Sequence, residues 1–304
     1  MITERIILPT ILVLAAVFTG CKSLEVVTKV TTTVGVATGT ISAEQAQSID
    51  RSATAVGKAF EKLTPEQEYY IGRSVAATIL VDYKPFDHAA ATRYINTLGM
   101  ALALSSDKPE TFGGWHFLIM DTDEINAFAA PGGFILLSRG MLHCCRSEDE
   151  LAAVLAHEIG HVQREHGLRA INSSRWTSAF TILGTEAAKN LGGQQLAELT
   201  TVFEGSISDV TSTLANSGYA RKLEREADAD AVVILQRVGY NPTGLINMLG
   251  EMSRRLEKDT RGFAKTHPDP QDRIKDLKKL IGTVTPEAEH PARQARFNTA
   301  LGGI

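Results

Sequence analysis

Three cysteines in 304 residues are too few to staple a disulfide scaffold, so the chain must rely on a buried core. A surplus of positive charge is also missing: 31 Lys and Arg against 35 Asp and Glu leave a formal net charge of −4. That balance excludes a basic nucleic-acid footprint, and no nucleic-acid partner is expected. Beyond the first twenty residues no apolar run reaches about 18 residues, which excludes a multi-pass membrane protein. Neither the 25 glycines nor the 10 prolines form a repeat, so collagen-like and low-complexity chains drop out too. What is present, 43% hydrophobic and 22% charged residues, is the mixture of a globular body.

The N-terminus reads as an address. Arg5 precedes a largely apolar stretch, Ile6 to Phe18, too short to span a bilayer but of signal-peptide length. Val17-Phe18-Thr19-Gly20-Cys21 resembles a bacterial lipobox, with Phe18 where leucine is usual. It designates residues 1–20 as a lipoprotein signal peptide and Cys21 as the lipidation site. Lys22 behind it points, by the same resemblance, to outer-membrane sorting. The competing reading is an ordinary signal peptide with a chance cysteine. Residues 21–42, rich in Thr, Val and Gly, read as a tether.

Helical material begins near Ala43. Thr64-Pro65-Glu66-Gln67 has the form of a capping box with proline at the first helical position, and it opens a helix with Ile71, Val75, Ile79 and Leu80 on one face. A second helix is predicted over Asp87 to Leu104. Trp115 to Met120 and Phe134 to Ser138 are short apolar runs that, with Pro131-Gly132-Gly133 between them, predict a small sheet with a turn. Ser147-Glu148-Asp149-Glu150 starts a helix expected to run to about His166, with Gly167 as its terminator. Residues 172–218 read as a helical hairpin, and Tyr219 to Val238 as a strong helix ending at Gly239. Helices, a small sheet, then helices again give an α+β class, mainly helical with a small mixed sheet.

The segment His157-Glu158-Ile159-Gly160-His161 is an HExxH in helical context. Residues four apart share a helix face, so both imidazoles reach one metal ion, with Glu158 beside them as a general base. The plain alternative is two surface histidines on a solvated helix. A catalytic zinc needs a third protein ligand. An HExxHxxGxxH pattern would need Gly at 164 and His at 167, where Arg164 and Gly167 stand; a Glu at thermolysin-like spacing would fall on Thr181. His166 lies about 140° around an ideal helix from His161 and is expected to face elsewhere. The third ligand therefore comes from another element, and the candidate is Glu224-Arg225-Glu226-Ala227-Asp228-Ala229-Asp230. In gluzincins a helical Glu ligates the metal and an Asp one turn later supports a ligating histidine, and two pairs there resemble that pattern, Glu224 with Asp228 and Glu226 with Asp230. Ala227, Ala231, Leu235 and Val238 form the apolar face, and Glu224 and Asp228 lie along it, so Glu224 is the expected ligand and Asp228 its support for a ligating histidine.

With these residues in place, the sequence resembles the HtpX-like and CAAX-prenyl-endopeptidase-like zinc metallopeptidases, which are gluzincins. The likeness runs from about Leu63 to Leu280 and rests on several spaced motifs. They are Ile125-Asn126-Ala127-Phe128-Ala129 with Pro131-Gly132-Gly133, then Glu150 to Ala156 leading into the HExxH, and Tyr219-Ala220-Arg221 before Glu224. Gly239-Tyr240-Asn241-Pro242 and His267-Pro268 with Arg273-Ile274 complete the set. The resemblance implies one zinc ion held by His157, His161 and Glu224, with Glu158 as general base. It implies a substrate strand at Asn126, Ala127 and Phe128, on which an extended peptide adds by β-pairing. His267 is implied as an oxyanion stabiliser or as a regulatory ligand in a resting state; the plain reading is a histidine capping the turn before Pro268. The metallopeptidase domain then spans 43–285, and 286–304 form a C-terminal tail.

The expected function is a zinc metalloendopeptidase on the periplasmic side of a bacterial envelope, held in the outer membrane by its N-terminal lipid. Its expected partners are unfolded or misassembled envelope polypeptides. The alternatives are a chaperone-like or latent peptidase-fold protein that holds extended chains in the same groove and, with less support, a peptidoglycan hydrolase. Cys144 and Cys145 are expected to be inert thiols or a disulfide rather than catalytic groups.

Overall fold

The computed structural model describes residues 63–171, 193–256, 267, 270–282 and 290–304, without the side chains of 193–200 and 256. The signal segment, Cys21, the tether, the helical start near Ala43, residues 172–192 of the expected hairpin, and Pro268 lie outside the described residues. The chain divides into two compact units. One comprises residues 1–62 and 172–203, of which 193–203 are described, as helix. The other comprises 63–171 and 204–304 and carries the features below.

Helix α1 (Pro65–Asp82) opens with the capping box: the Gln67 N–H donates to Thr64 Oγ1 at 3.2 Å, and the Thr64 N–H to Gln67 Oε1 at 3.0 Å. Ile71, Val75 and Ile79 are buried as the periodicity predicts, with Leu80 at the margin. Helix α2 (Ala89–Leu104) buries Ile95, Leu98 and Leu102.

The sheet has three strands in the order β1-β3-β2: β1 (His116–Met120), β2 (Ala127–Ala130) and β3 (Phe134–Ser138). β3 pairs in parallel with β1, His116 opposite Phe134, and antiparallel with β2, Ala127 opposite Leu137. The Pro131-Gly132-Gly133 turn thus joins β2 to β3, inside a hairpin, rather than β1 to β3. Gly132 and Gly133 take φ of +74° and +96°, which glycine adopts without steric cost. Glu68 on α1 secures this turn, accepting from the Gly132 N–H at 2.9 Å and from Lys108 Nζ at 2.7 Å.

A short helix α3 (Arg139–Leu142) leads to helix α4 (Glu148–Gln163), which is capped by Ser147 and buried from Glu148 to Val162. A helix buried nearly all round is central to the core, and Leu151, Leu155 and Ile159, fully buried, contribute roughly 1.5–3 kcal/mol each. The expected run to His166 does not occur. α4 stops at Gln163, Arg164 caps it, Glu165 takes a left-handed φ of +56°, and α5 (His166–Arg169) begins. Gly167 is not the terminator; it lies inside α5, where a Cβ would meet Pro131 Cγ at 3.2 Å and Tyr219 Oη at 3.4 Å.

Helix α6 (Gly193–Ser212) passes into a π-helical turn at Thr213–Ser217 that ends at Gly218. Helix α7 (Arg221–Val238) follows and ends on Gly239, left-handed at φ +80°. α7 packs along α4, with Gly160 close against Ala227: a Cβ on Gly160 would lie 3.0 Å from the Ala227 carbonyl oxygen. Helices α8 (Thr243–Leu256), α9 (Pro270–Ile281) and α10 (Pro291–Leu301) complete the unit. α10 lays Phe297 and Leu301 into the core. The architecture is mainly helical with a small mixed sheet. Among the described residues no helix is long and apolar enough to cross a membrane.

Candidate metal centre

α4 projects His157 and His161 from one face, one turn apart, with their Nε2 atoms 3.1 Å from each other. α7 brings Glu224 against both: its Oε2 lies 3.5 Å from His157 Nε2 and its Oε1 3.4 Å from His161 Nε2. His267, just before α9, places Nδ1 2.9 Å from each Glu224 oxygen. All four side chains are buried, and one donor atom from each lies within 4.8 Å of the others. The four residues come from three separate parts of the chain, so only the fold assembles them.

Around this cluster stand further polar groups. Asp228 Oδ1 is 2.9 Å from His157 Nδ1, and Arg273 clamps the same carboxylate at 2.6 and 3.0 Å. His166 Nδ1 lies 3.0 Å from His161 Nδ1. The Tyr219 ring stacks on the His161 ring at 4.3 Å and 18°. Glu226 and Asp230, the other pair of the acidic helix, turn away. Glu226 Oε2 meets His166 Nε2 and Arg169 Nη1, each at 3.3 Å, while Asp230 binds Arg164 at 2.6 Å and also Gln163.

Burial pushes His161 well below the usual histidine range. Burial and the Arg273 charge press His157 the same way, but hydrogen bonds to Asp228 and Glu224 outweigh them and hold it at about 9. Burial also presses the Glu224 carboxyl upward, and the neighbouring His267, His157 and His161 outweigh it and keep it well below the carboxylate range. Glu158, also buried, has its carboxyl raised by desolvation despite His157 and His267 nearby. Among the described residues no group hydrogen-bonds the Glu158 carboxylate.

Glu158 faces a cavity of about 10 Å³ that it shares with Ala127 and Ala129 of β2, Thr213, Leu214, Gly218, Tyr219 and His267. That is room for about one water and not for a peptide. β2 is an edge strand of the sheet, yet all four of its residues are buried. Asn126, just ahead of β2, is buried and bound to Ser138 through its N–H (3.0 Å) and its carbonyl (2.9 Å); Ala127 and Phe128 are the first residues of the strand.

Sequence reasoning missed three groups at this site. Arg273 stands in the motif after His267, but nothing in the spacing says that it reaches Asp228. Tyr219 is likewise visible only as a motif residue. His166 was expected to face away, by extending the helical wheel past Gln163; the left-handed Glu165 breaks the wheel and returns His166 to His161. Cys144 and Cys145 are free and buried, not bridged to each other, and burial pushes the Cys144 thiol up to about 12 and Cys145 well above its usual range.

Curated relatives share this stretch. The chain is 31% identical over 202 residues to a beta-barrel assembly-enhancing protease of Escherichia coli K12, which covers 64% of the chain and 40% of that protein. It is 28% identical over 186 residues to the mitochondrial metalloendopeptidase OMA1 of Schizosaccharomyces pombe, covering 58% of the chain and 48% of that protein. It is 24% identical over 155 residues to the metalloprotease LoiP of Escherichia coli K12, covering 51% and 58%. The aligned stretch is thus only about half the length of these relatives. The profile described as peptidase family M48 matches residues 89–281, which include all four clustered residues together with Glu158, His166, Asp228 and Arg273, and on that match, over more than half its length, the chain belongs to peptidase family M48.

Proposed function

We propose that the chain is a zinc metalloendopeptidase in which His157, His161 and Glu224 hold the ion and Glu158 is the general base. The observation that carries this reading is the meeting of two imidazole nitrogens and one carboxylate from two packed helices, within 3.1–3.5 Å of one another in a buried site. Imidazole nitrogen and carboxylate oxygen are donors that zinc takes, and here two of the one and a carboxylate of the other converge on one point. Zinc bound there supplies Lewis acidity, polarising a carbonyl and bringing the pKa of water from 15.7 to about 7.

The chain's own residues do the rest. Glu158 accepts the proton of the attacking water on a carboxylate oxygen and delivers it to the leaving amine. Its raised carboxyl brings it nearer the working pH, which favours both transfers. Asp228 accepts a hydrogen bond from His157 Nδ1 and so keeps the Nε2 lone pair of His157 toward the ion. Asn126, Ala127 and Phe128 offer the edge along which an extended substrate backbone pairs. His267 stabilises the oxyanion or occupies the site at rest.

The substrates are misfolded or unassembled envelope polypeptides. The likeness to proteins named for beta-barrel assembly supports this, as do the signal-like N-terminus and the lipobox-like Cys21. In this reading residues 1–20 are removed, Cys21 is acylated, 21–42 tether the domain of 43–285 on the periplasmic side of the outer membrane, and 286–304 follow that domain. A latent state is a second reading with an observation of its own: Thr213, Leu214, Gly218 and His267 narrow the space beside Glu158 to about 10 Å³.

Zinc content and hydrolysis of unfolded casein, measured on the full chain and its Glu158→Gln variant, test the proposal. We expect one equivalent of zinc in both and cleavage reduced at least about 100-fold in the variant. Equal cleavage by the two removes Glu158 from its role. Zinc in both with no cleavage by either favours the latent or chaperone-like reading, and no zinc in either removes the ligand assignment.

A further inference from the structure

The contact between His161 and His166 is between like atoms, Nδ1 to Nδ1, at 3.0 Å and wholly buried. A hydrogen bond between two such nitrogens exists only if one carries the proton and the other does not. If His161 ligates through Nε2, its proton sits on Nδ1 and His166 Nδ1 must be the acceptor. The proton of His166 then sits on Nε2, and Nε2 faces Glu226 Oε2 at 3.3 Å, a carboxylate that only accepts. Arg169 and Lys222 hold Glu226 from outside, at 3.3 and 3.9 Å. The proton positions along Glu226, His166 and His161 are therefore fixed from one end to the other.

We infer that His166 and Glu226 are positioning residues that lock the tautomer and ring orientation of His161, matching across the cluster what Asp228 does for His157. The inference rests on the reading of His161 as a zinc ligand. It gives a task to the carboxylate that periodicity set aside in favour of Glu224: both lie on α7, and each serves the same ion, one directly and one through two imidazoles. It also accounts for a buried histidine placed by a strained left-handed residue one position earlier.

The test uses the full chain, stripped of metal and reloaded. Zinc affinity is measured by competition with a chelator, and the ring tautomer of each histidine is read from ¹⁵N chemical shifts of the metal-free protein. Four variants form two pairs: His166→Leu against His166→Asn, whose side-chain oxygen replaces the Nδ1 acceptor, and Glu226→Leu against Glu226→Gln, which keeps an acceptor without the charge. We expect His166→Leu to weaken zinc about 10–100-fold and to release His161 from its Nδ1–H tautomer. His166→Asn should recover most of both. Glu226, at a partly exposed position where folding is not at stake, should show the same contrast at the lower end, about tenfold for Leu and little for Gln. If either Leu variant folds yet keeps the parent's affinity and the His161 tautomer, the arm is only packing and the inference fails. If the parent itself binds no zinc, the ligand reading fails and takes the arm with it.

Discussion

At its N-terminal end α4 carries Glu148, which accepts from Tyr94 Oη at 2.9 Å, Tyr240 Oη at 2.8 Å and Arg296 Nε at 3.1 Å. Beside it, Asp149 takes the Asn241 N–H and Arg293, and Glu150 takes Arg146. About three turns along the same helix, Glu158 is just as buried and has no hydrogen-bond partner among the described residues. The difference is not one of burial, helix or residue type. It lies in what the neighbouring elements supply: α2, the turn before α8 and α10 bring donors to the first turn, whereas Glu158 is walled by Ala127, Ala129, Thr213, Leu214, Gly218 and the rings of Tyr219 and His267. One end of the helix is compensated by protein and holds the fold. The other end has no hydrogen-bond donor from the protein among the described residues, and the desolvated carboxyl there is a cost that the rest of the core carries.

Opposite signs on substitution would sharpen that contrast. Glu148→Ala strips an acceptor from two tyrosines and an arginine, and should destabilise the protein by about 2–4 kcal/mol. Its melting temperature should fall by roughly 5–10 °C, with zinc affinity of the folded protein unchanged; a loss below about 1 kcal/mol would mean that the first turn is not a clamp. Glu158→Gln should do the reverse in the metal-free protein, stabilising it by about 1 kcal/mol in a denaturant titration, because a neutral amide is less costly to bury than a lone carboxylate. A destabilisation there would show that Glu158 is compensated after all. The smallest effect belongs to the thiols that precede the helix. With its pKa at about 12, Cys144 is only about one part in ten thousand thiolate at pH 8. Neither Cys144 nor Cys145 should be alkylated by iodoacetamide in the native protein, and both should react once it is unfolded.

The sequence made some of this legible for definite reasons. His157 and His161 are four apart, so their shared face follows from helix geometry alone. Glu224 could be preferred to Glu226 because the apolar stripe of α7 passes through it. Thr64, Ser147 and Gly239 are caps whose chemistry is local, and each sits where a helix begins or ends. What failed depended on non-local packing. Gly167 looked like a terminator, but it is required for close contact with Pro131 and Tyr219, and the chain turns instead at Glu165, a residue whose type does not advertise a left-handed backbone. The parallel pairing of β1 with β3 was hidden because β2 intervenes in sequence. Arg273 reaches Asp228 across 45 residues of chain, a distance no periodicity spans.

Gly160 acts as a gauge block between two machined parts. With no side chain, it lets the backbone of Ala227 come close enough that an added methyl would sit 3.0–3.1 Å from it. α4 carries the imidazoles and α7 the carboxylate, so the thickness of residue 160 sets how far apart the donors stand. Metal–ligand distances tolerate only about 0.2 Å, and a methyl there would wedge the helices apart by a comparable few tenths. The smallest residue of the HExxH segment thus governs how closely the two helices bring their imidazoles and carboxylate together, although it offers no donor of its own.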